Sequence, residues 1–115
     1  MAEKKMRVSR WDALELSGDR PGVWHRRVFG ENVQVQHLIT EPGGEPAKAH
    51  SHPRSEQFYL VEQGRWEVTV EGESREIRPG DIVYIPADAQ HTVRLLGPEK
   101  GQILEIYSPP INPPR

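Results

Sequence analysis

Cysteine is absent from the 115 residues, which removes a disulfide framework, a thiolate metal site and a cysteine nucleophile at once. A bound metal ion would have to rely on histidine, carboxylate or amide ligands. Long apolar runs are missing too. No stretch approaches the ~20 residues of a membrane span, and the amino terminus, Met1-Ala2-Glu3-Lys4-Lys5-Met6-Arg7, lacks the ~7–15-residue apolar stretch of a secretory signal. No membrane partner is expected, and the expected address is the cytoplasm. Nor is there an excess of charge of one sign. The net of −2 at pH 7 lacks the basic footprint that binding to a phosphate backbone needs, so nucleic acid is not an expected partner.

What the chain does have is turns. Ten glycines and eleven prolines are spread between short apolar runs without a repeat period. The length gives room for one domain, expected to span residues 1–115, and the 35% hydrophobic content plus the glycines suffices for a folded core. Residues 1–20 are polar except for Trp11 to Leu16, which suits a turn of helix or an edge strand. Val33, Val35, His37 and Ile39 then alternate with Gln34, Gln36, Leu38 and Thr40, the period of a half-buried strand. Phe58 to Val61, Trp66 to Val70, Ile82 to Ile85, His91 to Leu96 and Gln102 to Tyr107 supply further strands. Gln63-Gly64, Glu71-Gly72-Glu73, Pro79-Gly80-Asp81 and Gly97-Pro98 separate them, and the first of these read as hairpins. No convincing amphipathic helix of ten residues follows Val23. The expectation is an all-β sandwich or barrel of six to eight strands with its core over about 23–108. The proline-rich tail 109–115 should lie extended along the surface.

The candidate chemistry lies in the five histidines, His25, His37, His50, His52 and His91. His50-Ser51-His52 has the i, i+2 spacing that puts two imidazoles on one face of an extended chain, able to converge on one ion. By itself this is also an ordinary loop feature. Gly44 precedes it by six residues, Glu56-Gln57 follows at the start of an apolar strand, and Gly64 ends that strand. A second block runs from Gly80 through Pro86 to His91. His25, beside Arg26 and Arg27, is read as a surface or subunit-contact residue. His37 is either a satisfied inward-facing polar group or part of a pocket. The plain reading of Glu105, between Leu104 and Ile106, is a solvent-facing strand position, and Trp66, Val68 and Val70 form a core stripe.

The two blocks together resemble the paired motifs of the cupin superfamily, G-x5-H-x-H-x3–4-E-x6-G and G-x5-P-x-G-x2-H-x3-N. Gly44, His50, His52, Glu56 or Gln57, and Gly64 fill the first; Gly80, Pro86 and His91 fill the second. Asp88 stands in place of a motif glycine, a position Asp tolerates if it is a left-handed turn, and Leu95 stands in place of the asparagine. The resemblance implies a cupin-type small jelly-roll β-barrel holding one divalent transition metal ion, with Mn, Fe, Co, Ni, Cu and Zn not distinguished. Glu56 satisfies the spacing from His52 and Gln57 the spacing back from Gly64. Adjacent strand residues face opposite ways, so only one of the two can face the ion. A subset that linearises unsaturated uronates in pectin and alginate breakdown is similar further, with a His-Ser-His-Pro then Glu-Gln run in which Gln is the ligand. This favours His50, His52, Gln57 and His91.

That subset also surrounds its sugar with an acid, an aromatic and an arginine of the terminal segment. Carried over, these give Glu105 and Tyr107 as catalytic residues, and Ile111 where the arginine would stand, so Arg26, Arg27, Arg54, Arg65 or Arg94 would have to replace that charge. The implied pocket is lined by Val35, His37, Tyr59, Val93 and Glu105. The implied function is metal-assisted isomerisation or ring opening of a small sugar-like substrate. The alternatives are a metal-dependent dioxygenase, requiring Glu56 as ligand or a redox-tolerant three-histidine site, and a noncatalytic sugar-binding or sensing module. Exposed strand edges point to a homodimer.

Overall fold

The computed structural model describes residues 4–112. After a 3-10 turn at Trp11–Ala13, the described residues form nine strands: β1 Ser17–Arg20, β2 Val23–Phe29, β3 Gln34–Thr40, β4 Glu56–Gln63, β5 Arg65–Val70, β6 Glu73–Ile77, β7 Ile82–Ile85, β8 His91–Leu96 and β9 Gly101–Ser108. They make a six-stranded sheet, β1-β2-β3-β9-β4-β7, and a three-stranded sheet, β6-β5-β8. Every strand pairing is antiparallel. The two sheets face each other as a small jelly roll, the fold class expected. The strand count exceeds the expected six to eight because β1 and β2 join the sheet. Their Ser-Gly-Asp-Arg and Trp-His-Arg-Arg segments carry too little apolar alternation to announce strands.

Two local expectations are corrected. Phe58 to Val61 and Trp66 to Val70 do not form a hairpin: β4 pairs with β7 and β9, while β5 pairs with β6 and β8. Gly64, at φ +85°, turns the chain from one sheet into the other, where a Cβ would come within 3.1 Å of the Lys100 carbonyl and the Leu95 side chain. By contrast, Glu71 at φ 47° and Gly72 at φ 81° close a true β5–β6 hairpin. Asp88 adopts φ 65°, the left-handed conformation its place in the motif calls for.

The second correction is the face of β3. The alternation of Val33, Val35, His37 and Ile39 suggests an inward apolar face, yet Gln34, Gln36, Leu38 and Thr40 point into the barrel. Val35 instead packs near Trp11, Leu14 and Val28, and His37 stacks on Trp11 at 5.0 Å and contacts Glu62 at 2.6 Å. Neither Val35 nor His37 lines the barrel cavity. A choice of face on a strand is all or nothing, since a shift of one residue inverts every side chain.

The register then places chemistry in rows across the large sheet. Val61, Ile103, Leu38 and His25 lie side by side on β4, β9, β3 and β2; Tyr59, Glu105, Gln36 and Arg27 form the next row, and Gln57, Tyr107 and Gln34 the one after. The core fills one end with Val23, Leu38, Val61, Trp66, Val68, Ile77 and Ile103, the polar rows line the other, and Ile85 of β7 stands beside Gln57. Burying each large apolar side chain is worth about 1.5–3 kcal/mol.

Candidate metal and substrate site

Residues 41–55, between β3 and β4, bring the first histidine block to the second. The His50 backbone N–H donates to the His91 carbonyl at 3.1 Å, and the His91 N–H donates back to His50 at 2.8 Å. Asp88 N–H binds the His52 carbonyl at 2.9 Å, and the Thr92 hydroxyl donates to the Ala47 carbonyl at 2.6 Å. These bonds across distant parts of the chain gather three imidazoles, tilted or edge-on to one another with ring centroids 4.5 to 5.2 Å apart. His50, His52 and His91 each offer a ring nitrogen within 4.8 Å of the others, a group that could hold a metal ion.

The protonation pattern suits an ion. His50 Nδ1 donates to the Lys48 carbonyl at 2.8 Å and His91 Nδ1 to the Ala89 carbonyl at 2.9 Å. A carbonyl only accepts, so Nδ1 bears a proton in both rings, and the neutral form of each has its lone pair on Nε2. His91 Nε2 and His52 Nε2 are buried with no hydrogen-bond partner. Burial, followed by the neighbouring His50 and His91, lowers the His52 pKa to about 4, with Glu105 pulling the other way. Burial is also the main cause lowering His91. Both rings are therefore neutral at pH 7, the form that coordinates metals.

Glu56 and Gln57 part as a strand requires. Glu56 is exposed and accepts the Tyr84 hydroxyl at 2.6 Å; Gln57 is 1% exposed and points inward. The Gln57 amide nitrogen donates to the Tyr107 hydroxyl at 2.9 Å and lies 3.5 Å from Glu105 Oε2. Because a carboxylate accepts only, the amide turns its nitrogen that way, and its Oε1 is left buried without a partner. Three orphaned polar atoms, His52 Nε2, His91 Nε2 and Gln57 Oε1, are expensive inside a protein unless something binds them. The donor set fits a divalent ion.

Glu105 is 4% exposed and does not face solvent, because β9 lies between β3 and β4 and its odd-numbered residues face the interior. Its Oε1 accepts Gln36 Nε2 at 2.7 Å and lies 3.5 Å from His25 Nε2; its Oε2 accepts the Tyr107 hydroxyl at 3.2 Å. Burial and the Glu105 charge raise both the Tyr107 and Tyr59 phenols well above their usual value, so both remain protonated donors. Gln34 donates to Gln36 at 2.7 Å and to Asn112 at 2.6 Å, while its own oxygen accepts the Ile111 N–H at 2.9 Å. This draws Ile111 over the cavity instead of along the surface; residues 113–115 of the tail lie outside the described residues.

The cavity beside the cluster has a volume of about 160 Å³ and is lined by, among others, His50, His52, Tyr59, Val93, Glu105 and Tyr107. That is close to the ~150 Å³ of a cavity that admits benzene, so it has room for one small molecule. His25 lines it too. Expected at the surface, it is 7% exposed and held by Asp19 through Nδ1. The neighbouring Arg26 and Arg27 hid this, although strand alternation alone puts His25 and Arg27 on one face and Arg26 on the other. Gln36 was missed for the opposite reason, as a polar residue in a strand whose apolar members face out. Of the five arginines named above, Arg27 and Arg94 line the cavity.

A two-sheet antiparallel barrel with a histidine cluster at one end of its interior defines a small class of β-barrel proteins. The Cupin domain family model matches residues 36–107, and the chain belongs to the cupin family. An uncharacterized protein of Methanocaldococcus jannaschii is 33% identical over 115 residues, covering 96% of this chain and 92% of that protein. Dimethylsulfoniopropionate lyase DddW of Ruegeria pomeroyi is 43% identical over 80 residues, 66% of this chain. The chain spans about half the length of this lyase (51%) and 43% of polyketide synthase CurC of Streptomyces cyaneus. Among solved structures, KdgF from Halomonas sp. superposes with a TM-score of 0.83 at 24% identity, over 92% of this chain and 96% of that one, a likeness of fold. Among the described residues no helix is long and apolar enough to cross a membrane.

Proposed function

We propose that the whole chain is a single cupin domain that binds one divalent transition metal ion through His50, His52, Gln57 and His91. It would act as a metal-assisted enzyme on a small oxygenated, sugar-like molecule, by isomerisation or ring opening. The observation that carries the reading is the set of orphaned buried atoms, His52 Nε2, His91 Nε2 and Gln57 Oε1, next to a cavity that also holds Glu105 and Tyr107. When bound, the ion supplies Lewis-acid polarisation of a substrate oxygen. Glu105 takes a proton from the substrate carbon or hydroxyl at Oε2, while its Oε1 stays anchored by Gln36. The Tyr107 hydroxyl, 3.2 Å from Oε2, gives its proton to a neighbouring substrate oxygen as it takes up the one that Glu105 has accepted, so that no phenolate is left behind. Ile111 and the apolar wall exclude bulk water.

Proton abstraction is equally the first step of an elimination, and the likeness to a dimethylsulfoniopropionate lyase favours a lyase as the second reading. The dioxygenase reading through Glu56 loses its support, since that carboxylate faces outward onto Tyr84. A homodimer belongs to the same proposal. The free edge strand β7 exposes Ile82 (67%) and Tyr84 (48%), with Phe58 stacked on Tyr84 at 5.3 Å, an edge that a second copy can cover by isologous pairing.

Elemental analysis of the purified chain and of its Gln57→Ala and Glu56→Ala variants tests the site. The expected result is about one equivalent of metal in the wild type, a large loss in Gln57→Ala and little change in Glu56→Ala. Equal losses, or a chain that cannot be loaded, would overturn the ligand set. Turnover of a panel of ketoses, aldoses, sugar acids and sulfonium acids, followed by NMR in deuterated water, tests the chemistry. Solvent deuterium entering carbon is expected. Consumption of dioxygen in its place would sink the proton-transfer reading.

A further inference from the structure

The histidine cluster and Glu105 lie within or beside strands that the Cupin domain match covers, residues 36–107. One wall of the cavity does not. Strands β1 and β2, residues 17–29, stand outside that segment, yet Asp19, Arg20, His25 and Arg27 from them line the cavity. The wall from β1 and β2 thus lies outside the segment that the family model matches.

Arg27 is the chemically pointed residue of that wall. It sits in register with Gln36, which is itself in register with Glu105. Its Nε donates to Gln36 Oε1 at 3.1 Å, and Gln36 donates onward to Glu105 at 2.7 Å. The guanidinium is thereby fixed one side chain away from the proposed proton acceptor. It also meets Asp19 through Nη2 at a long 3.5 Å, on an oxygen that His25 Nδ1 holds more closely. Of five N–H donors, the contacts with Gln36 and Asp19 engage two. The other cavity arginines are committed elsewhere: Arg94 makes two bonds to Glu67, and Arg20 donates to the Glu45 carbonyl at the rim. A half-buried guanidinium with unspent donors, 22% exposed, is a receptor for a planar anion.

We propose that Arg27 is the specificity-determining residue of this cavity and that its ligand carries a carboxylate, received by the free N–H groups of Arg27 while another oxygen of the molecule faces His50, His52 and His91. The proposal rests on the cavity being the substrate site. Ligands at the cluster that are all neutral leave an ion's double positive charge undiminished, which also favours an anion.

The experiment is calorimetric titration of the metal-loaded full chain with matched pairs: D-glucuronate against D-glucose, D-galacturonate against D-galactose, and pyruvate against hydroxyacetone. At least one acid is expected to bind ten-fold or more tightly than its neutral partner, and Arg27→Gln should abolish that preference while leaving metal content unchanged. Arg27→Lys keeps the charge without the fork and should retain a preference weakened several-fold. Equal binding of acid and neutral partners, no binding by any acid, or a preference that survives in Arg27→Gln would overturn the proposal, the last because the preference would then belong to the ion. Should Arg27→Gln not fold, an undiminished preference in Arg27→Lys overturns it. A preparation that takes up no metal refutes the metal reading instead, and the same pairs titrated into that metal-free protein still decide the role of Arg27.

Discussion

His52 illustrates how one residue ties stability to the site. Its folded-state pKa of about 4 lies below the ~6.5 of an unfolded histidine. Between those values the unfolded chain binds a proton that the folded chain refuses, so stability of the metal-free protein rises with pH across this window and falls as pH drops from about 6.5 toward 4. His91, also lowered, adds to the same slope. Urea midpoints of the metal-free chain should therefore decrease between pH 7 and pH 4.5. The decrease should be smaller in His52→Gln, which lacks the titrating ring. Parallel midpoints for the two proteins would show that His52 is not held neutral by the fold. Gln57 acts at the same scale through geometry: its nitrogen is claimed by Tyr107 and Glu105, and its oxygen is left over for an ion.

Strands and their turns carry the next level. The two histidine blocks were legible in the chain because glycine and proline spacing acts at short range, and the positive φ at Gly64, Gly80 and Asp88 is a local requirement that a sequence displays openly. Which face of β3 points inward was not legible. Val35 and Ile39 look like core, but Val35 borders a surface hollow together with Trp11 and Leu14 of the described amino-terminal segment, while Gln34 and Gln36 are buried on the inward face. Tertiary partners decided that face, and no period within the strand could. His25 and Arg27 were obscured for the same reason, since β2 carries charge on both faces. Gly101, at the start of β9, packs against β5. A Cβ there would stand 2.3 Å from Trp66 Cζ2 and 2.5 Å from Leu95 Cδ1, both in the packed interface between sheets. Gly101→Ala should destabilise the chain by about 1–3 kcal/mol, the usual range for overpacking a core, read as a lower urea midpoint with an unchanged slope. A neutral substitution would mean that Trp66 has room to move.

At the scale of the whole molecule, the proposed ligands come from parts that the fold must hold together. Gln57 belongs to β4 of the six-stranded sheet, His91 to β8 of the three-stranded sheet, and His50 and His52 to the segment joining β3 to β4. An ion held by all four would cross-link the two sheets at the polar end of the barrel, away from the apolar core around Trp66 and Ile103. It would also relieve the repulsion and desolvation that the clustered rings and the orphaned amide oxygen impose on the empty site. An ion that binds the folded chain and not the unfolded one stabilises by RT ln(1 + [M]/Kd), about 2.7 kcal/mol at a hundred-fold excess over Kd. For a chain of this size that corresponds to a Tm increase on the order of 10 °C. Chelation followed by dialysis should lower Tm by that amount, and adding back a divalent transition metal should restore it in the wild type. In Gln57→Ala the restoration should need a higher metal concentration, since one arm of the cross-link is gone, and in His91→Ala the two sheets should no longer respond together to the ion. A Tm that is indifferent to chelation, in a protein shown beforehand to contain metal, would mean that the ion sits on one sheet alone.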